Sequence, residues 1–195
     1  MKRRSGHYLS LLLLSISIGL LSSGGYIHAK AQLAQWLIAS AWSQSKVNNK
    51  QAKPWPWADT WPIARLEVPE YNIDQYVLAG STGESLAFGP GYVFASAAPT
   101  EQGNTIIAAH RDTHFEFLQE LQKGDVITLH NAMGRQRDYS VQDMTIVDKQ
   151  DVSWLDNQAY SHQLTLVTCY PFNAIQVGGR LRYVVRAVSL EDISA

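Results

Sequence analysis

Leu164-Thr-Leu-Val-Thr-Cys169-Tyr-Pro171 is the stretch on which the fold turns. Its first five residues are apolar or β-branched and too few for a helix, so they read as a buried strand. Proline cannot continue a central strand, so the run stops at Cys-x-Pro and delivers its last side chain to a sheet rim. Working outward, Asn104-Thr-Ile-Ile-Ala-Ala109 is a second short apolar run that ends at a polar residue, His110. Val126–Leu129, Arg137–Val147 and Leu181–Val188 also read as strands, as do Ile63–Val68 and Tyr76–Leu78 upstream. Phe115–Gln122 predicts a short helix ended by Gly124, and the Gly- and Ser-rich stretch from Gly80 to Gly91 reads as loop. About six to eight short strands with little helix predict a mainly β protein, a closed or nearly closed barrel.

The 195 residues are 46% apolar and 17% charged, which argues against wholesale disorder. Lys2, Arg3, Arg4 and Lys30 flank an otherwise uncharged N-terminal stretch, leaving residues 31–195 with 12 basic and 17 acidic side chains, a net charge of −5. A body that acidic is ill suited to gripping a phosphate backbone, so no nucleic-acid partner is expected. The single cysteine, Cys169, excludes an intrachain disulfide and a Cys-rich zinc framework.

Leu9–Ile27 as a helix spans ~28 Å, close to a bilayer core. The basic residues ahead of it predict a cytoplasmic N-terminus and a body across the membrane. Ala29-Lys30-Ala31 also has the small-x-small form of a signal-peptidase site, approached through a helix-breaking Ser22-Ser-Gly-Gly25. Either processing outcome puts the body outside the cytoplasm. Residues 31–60 read as a stalk, either an amphipathic helix or coil, followed by the Pro/Trp-rich linker Pro54–Pro62, whose three tryptophans are expected to pack as a flap. The expected organisation is 1–30 anchor or signal peptide, 31–60 stalk and linker, and 61–195 a single domain.

Cysteine is most often a small buried hydrophobe. At a strand end with no disulfide partner, Cys169 is also a candidate nucleophile, provided an imidazole or cation lies near enough to favour the thiolate over a thiol whose free pKa is ~8.5. His110, at the end of its own strand, is the candidate general acid/base. His110 and His114 have the i, i+4 spacing of a zinc pair, but Arg111 stands where the zinc-protease Glu belongs and the preceding strand argues against a helix. His130 and His162 read as ordinary surface residues. Arg180 and Arg182 share a face of the last strand, either as solvent-facing charge or as donors to an oxyanion.

Taken together, Leu164–Cys169, Asn104–Thr113, Lys123–Leu129 and Leu181–Arg186 resemble the sortases, membrane-anchored cysteine transpeptidases. Cys169-Tyr-Pro-Phe172, the Pro-Trp-Pro-Trp lead-in and the single anchor further resemble the sortase class of Gram-negative, often marine, bacteria. The resemblance implies an eight-stranded β-barrel with Cys169 as nucleophile and His110 as general acid/base. Arg182 is the implied oxyanion stabiliser because Arg182-Tyr-Val-Val-Arg186 fits the family's pattern, with Arg180 as fallback. It also implies that Thr168 shapes the site and that Asp148–Gln163 forms a substrate-selecting loop. The implied partners are a secreted protein with a C-terminal sorting signal of Leu-Pro-x-Thr-Gly type, an amine acceptor and the cytoplasmic membrane. No cofactor or metal is called for. The competing readings are a cysteine peptidase that uses water, a non-catalytic peptide-binding barrel and, from the histidine pair, a zinc hydrolase.

Overall fold

The computed structural model describes residues 2–48, 50–155, 161–174 and 178–193. The chain divides into two compact units, Met1–Leu37 and Ile38–Ala195. Helix α1, Lys2–Asn48, supplies the first unit and the start of the second. Among the described residues, its stretch from Ser10 to Asn48 is the one helix long and apolar enough to cross a membrane. Ser22–Gly25, a helix-breaking approach in the signal-peptide reading and the interior of a continuous span in the anchor reading, is helical through Gly24 and Gly25. Glycine costs only about 1 kcal/mol per position in a helix, which a long run of good helix formers absorbs. The stalk from Ala31 to Ser45 is likewise helical rather than coil. Ile38, Ala41, Trp42 and Ser45 are buried at i, i+3, i+4 and i+7, a stripe that packs within the second unit. The Trp42 ring lies 6.0 Å from that of Tyr76.

After the linker come β1 (Pro62–Val68), β2 (Ile73–Ala79), the one-turn helix α2 (Gly83–Leu86), β3 (Gly91–Tyr92) and β4 (Gly103–Ala108). They are followed by β5 (Val126–Asn131), β6 (Gln136–Asp148), β7 (His162–Tyr170), β8 (Leu181–Ser189) and the terminal turn α3 (Leu190–Ile193). The strands close into one barrel in the order β1-β2-β3-β4-β7-β8-β6-β5. The expected flap is only partly present. Trp55 meets Phe88 edge-on at 5.1 Å and Trp61 lies 6.5 Å from Phe94, but Trp57 is 81% exposed. The helix expected at Phe115–Gln122 is a single 3-10 turn, Glu116–Gln119, held by Phe117 and Leu118 in the core.

Alternation sorts the two faces of the sheet. Leu164 and Leu166 of β7, Ile107 of β4 and Val185 and Ala187 of β8 point into the barrel, each at most 1% exposed. Burying one such leucine or valine is worth about 1.5–3 kcal/mol. Their neighbours point the other way. Ile106 of β4, Val167 of β7 and Val184 of β8 form a second apolar cluster outside the barrel, flanked by Val93, Ala108, Val147 and Trp154. The three are at most 6% exposed, so the chain's own flanking side chains cover this strip.

Candidate active site at the end of the outer strip

The register of three strands assembles the site. β7 and β8 run antiparallel with Val167 opposite Val184 and Cys169 opposite Arg182, so Cys169 and Arg182 continue the outer strip by one more cross-strand pair. β4 and β7 run parallel, and their ladder ends at Ala108 opposite Val167. Ala109 extends it, its N–H donating to the Val167 carbonyl at 3.2 Å. His110 follows, two residues beyond the end of β4. β7 runs to Tyr170, so Cys169 is inside the strand rather than its last residue, and its thiol is half-buried while His110 is exposed.

Local interactions hold this geometry. The Thr168 hydroxyl, pointing inward, donates to the Ala109 carbonyl at 2.7 Å and so ties the residue before Cys169 to the residue before His110. Beyond His110 the chain turns sharply, with the Phe115 N–H donating to the His110 carbonyl at 2.9 Å and the Phe115 ring fully buried. Beneath the site, Tyr170, Phe172 and Tyr183 close the barrel mouth, with ring centroids 5.3 to 6.2 Å apart. Burial, and then the neighbouring Tyr170, pushes the Tyr183 hydroxyl pKa up, so it stays a neutral plug.

The two arginines differ. Arg180 is one residue ahead of β8, its side chain 77% exposed and its Nε bonded to the Asp148 carboxylate. The Gln150 N–H and then Arg180 hold that carboxyl below the usual range. Arg182 stays on the outer face, its Nη1 donating to the carbonyls of Gly179 (2.8 Å) and Leu181 (2.9 Å). The shared-face expectation for this pair therefore does not translate into a shared site, because Arg180 is drawn to Asp148.

His114 lies in the turn after His110. Burial, and then the nearby His110, pushes its pKa below the ordinary histidine value. A histidine whose folded pKa is depressed leaves stability unaffected above its unfolded value of ~6.5 and costs stability as pH falls from there through the folded pKa. Urea unfolding from pH 7.5 to 5 should show a smaller acid loss for His114→Gln than for the native chain; equal losses would remove His114 as a cause. His130 and His162, expected as surface residues in loops, instead lie in β5 and at the start of β7. His162 Nδ1 is 3.1 Å from Asp192, and its backbone N–H donates to the same carboxylate at 2.6 Å.

Two features of the site are not apparent from the sequence. The connection from β6 to β7 carries a 3-10 turn, Ser153–Leu155, whose Trp154 packs on the outer strip. Buried Asn104 anchors that turn, donating to the Trp154 carbonyl at 3.1 Å while accepting from Thr165 Oγ1 at 2.8 Å. Residues 156–160 of this expected selecting loop lie outside the described residues. The second feature is Arg111, 6% exposed, whose Nη2 donates to the Ala174 carbonyl at 2.7 Å. A tryptophan inside an Asp/Ser-rich connection is a weak signal for the first; nothing in the sequence signals the second.

The chain belongs to the sortase family: the sortase domain model matches residues 66–190. Sortase D of Bacillus subtilis (strain 168) is 34% identical over 120 residues, covering 62% of this chain, and the chain spans about 60% of that relative's length. Among solved structures, sortase A from Corynebacterium diphtheriae superposes with a TM-score of 0.62 at 25% identity, covering 72% of this chain and 65% of that one. The sortase D5 transpeptidase of Clostridium perfringens shares the fold, with a TM-score of 0.63 at 22% identity over 80% of this chain and 96% of its own.

Proposed function

We propose that this chain is a membrane-anchored cysteine transpeptidase that cleaves a C-terminal sorting signal of a secreted protein and transfers the acyl part to an amine. Residues 1–30 are the anchor, with the N-terminus cytoplasmic, residues 31–60 the stalk and linker, and residues 61–195 the catalytic domain outside the cytoplasm. The observation that carries the reading is the pairing of Cys169 with Arg182 at the end of an apolar strip, with His110 two residues beyond the end of the adjacent strand β4. An extended peptide that reaches the outer face at Cys169 and Arg182, beside the Trp154 turn that covers Ile106, Val167 and Val184, brings a backbone carbonyl to the half-buried thiol.

In the first step the Cys169 thiolate attacks that carbonyl carbon. The C–S bond forms and the carbonyl π pair moves to oxygen, where Arg182 donates to the developing oxyanion. The intermediate collapses as the C–N bond breaks, and His110 gives its proton to the departing amine, leaving a thioester. In the second step an acceptor amine attacks the thioester carbon and His110 takes a proton from it. The C–S bond breaks and the thiolate is restored. Peptides of Leu-Pro-x-Thr-Gly type, incubated with residues 38–195 with and without added amine, test this. Transfer product in the presence of amine supports it; hydrolysis product alone, whatever the amine concentration, makes the chain a peptidase instead.

The two arginines give a sharper check. Removing one oxyanion donor typically lowers turnover by ~10²–10³, so Arg182→Ala should fall in that range. Arg180→Ala breaks only an exposed ion pair with Asp148 and should change turnover by less than about threefold. Steady-state kinetics of the two variants, side by side, decides between the two assignments.

A further inference from the structure

Arg111 is a buried arginine for which the reaction as written has no use. Arginine is seldom this buried unless its guanidinium is engaged. Its Nη2 donates to the Ala174 carbonyl, beyond Pro171 on the way from β7 to β8. A β-carbon built on Gly179, at the far end of the same connection, would sit 3.9 Å from Arg111 Nη1, which places the guanidinium near that end too. Such a carbon would also lie 3.0 Å from the Tyr170 carbonyl oxygen, a tight fit that requires the backbone to yield. Gly178 before it has φ of +75°, a left-handed conformation suited to glycine. The Gly179 carbonyl in turn accepts from Arg182 Nη1 at 2.8 Å.

Arg111, the residue after His110, thus bonds one described end of the β7–β8 connection and lies near the other, where Gly179 accepts from Arg182. We propose that Arg111 is a positioning residue for thioester formation: it holds the β7–β8 connection so that the Gly179 carbonyl fixes the Arg182 guanidinium on the outer face beside Cys169. This rests on the functional reading above. A rigid planar fork in a buried setting suits the task, since charge-assisted bonds to backbone carbonyls are short and directional. Arg182, on a long side chain, is otherwise free to sample other rotamers, and a donor aimed in advance is worth more to an oxyanion than one that must be reoriented.

The test is the rate of thioester formation by residues 38–195 with a sorting-signal peptide, measured for Arg111→Met, Arg111→Lys and Arg111→Gln. Arg111→Met should lower kcat ~10-fold or more with KM within about threefold, because the lost interaction acts in the transition state. Arg111→Lys should recover part of that loss. The rate of Cys169 alkylation by iodoacetamide across pH 6–9 should stay within about twofold of native, since alkylation forms no oxyanion. Combined with Arg182→Lys, Arg111→Met should add little further loss, as expected for two residues acting through one group.

A raised KM with native kcat, equal loss of alkylation, or multiplicative losses in the double variant would overturn the proposal. If Arg111→Met does not fold, Arg111→Lys and Arg111→Gln carry the same expectation, since neither reproduces the planar two-nitrogen fork, and native kinetics in them would count equally against the role. Failure of the native chain to form a thioester with any such peptide sinks the functional reading itself. A native thioester with unaffected Arg111 variants sinks only the positioning role.

Discussion

Alanine at position 169 is expected to reduce peptide cleavage and amine transfer to background. Cys169 is the only cysteine in the chain, so no neighbouring thiol can substitute. In the proposed mechanism both half-reactions pass through its sulfur. Removing the nucleophile from a covalent catalyst costs on the order of 10⁴–10⁶ in turnover. The fold should be spared. Cys169 is half-buried at the end of the outer strip, outside the main core, and its backbone pairing with Arg182 does not depend on the side chain. Thermal unfolding within a few degrees of native, with chromatographic assay of peptide cleavage, separates chemistry from stability. Turnover within tenfold of native in a folded Cys169→Ala protein would exclude the nucleophile assignment. Retained peptide affinity together with retained cellular function would favour the binding-barrel reading.

Alanine at His110 is expected to lower both half-reactions, each by about 10²–10⁴. The same ring gives a proton to the leaving amine and later takes one from the acceptor, so single-turnover acylation and deacylation should fall together. The ring is exposed and ends a segment held by Ala109 on one side and by the buried Phe115 on the other. Its loss should therefore leave the barrel intact. Alkylation of Cys169 across pH 5–9 gives an independent readout, because an imidazole partner shapes how thiolate reactivity varies with pH. A His110→Ala protein with native turnover and a native alkylation profile would leave His110 without a role.

The strands were legible in the sequence wherever alternation or a β-branched run reports burial: β1, β4, β7 and β8 lie within a residue or two of their expected limits. The two-residue β3 was not. Gly91 and Tyr92 sit in a glycine-rich stretch, and their strand character comes only from pairing with β2 on one side and β4 on the other. The Leu9–Ile27 helix is expected from the sequence, but its continuation through Ala31–Ser45 stands open there between helix and coil. Ser22–Gly25 has poor local helix propensity, and the helix on both sides outweighs it.

For the candidate site, strand-end position singles out Cys169 and His110 and leaves Arg180 and Arg182 open, with Arg182 preferred only from the sortase-like Arg182-Tyr-Val-Val-Arg186 pattern. Register then separates Arg182 from Arg180, a distinction that needs the pairing of β7 with β8 and the partner Asp148, 32 residues away. Arg111 and Asn104 were out of reach. Their partners Ala174 and Trp154 lie 63 and 50 residues further along the chain, and only closure of the barrel brings them together.

The central claim is that Cys169 carries the acyl group. Intact-mass analysis of residues 38–195, mixed with Leu-Pro-x-Thr-Gly-type peptides and quenched in acid, tests it most directly. The expected result is an added mass equal to the acyl fragment N-terminal to the cleaved bond, mapped by digestion to Cys169, released by hydroxylamine and absent from Cys169→Ala. Cleaved peptide with no such adduct at any quench time, or an adduct that persists in Cys169→Ala, would contradict it.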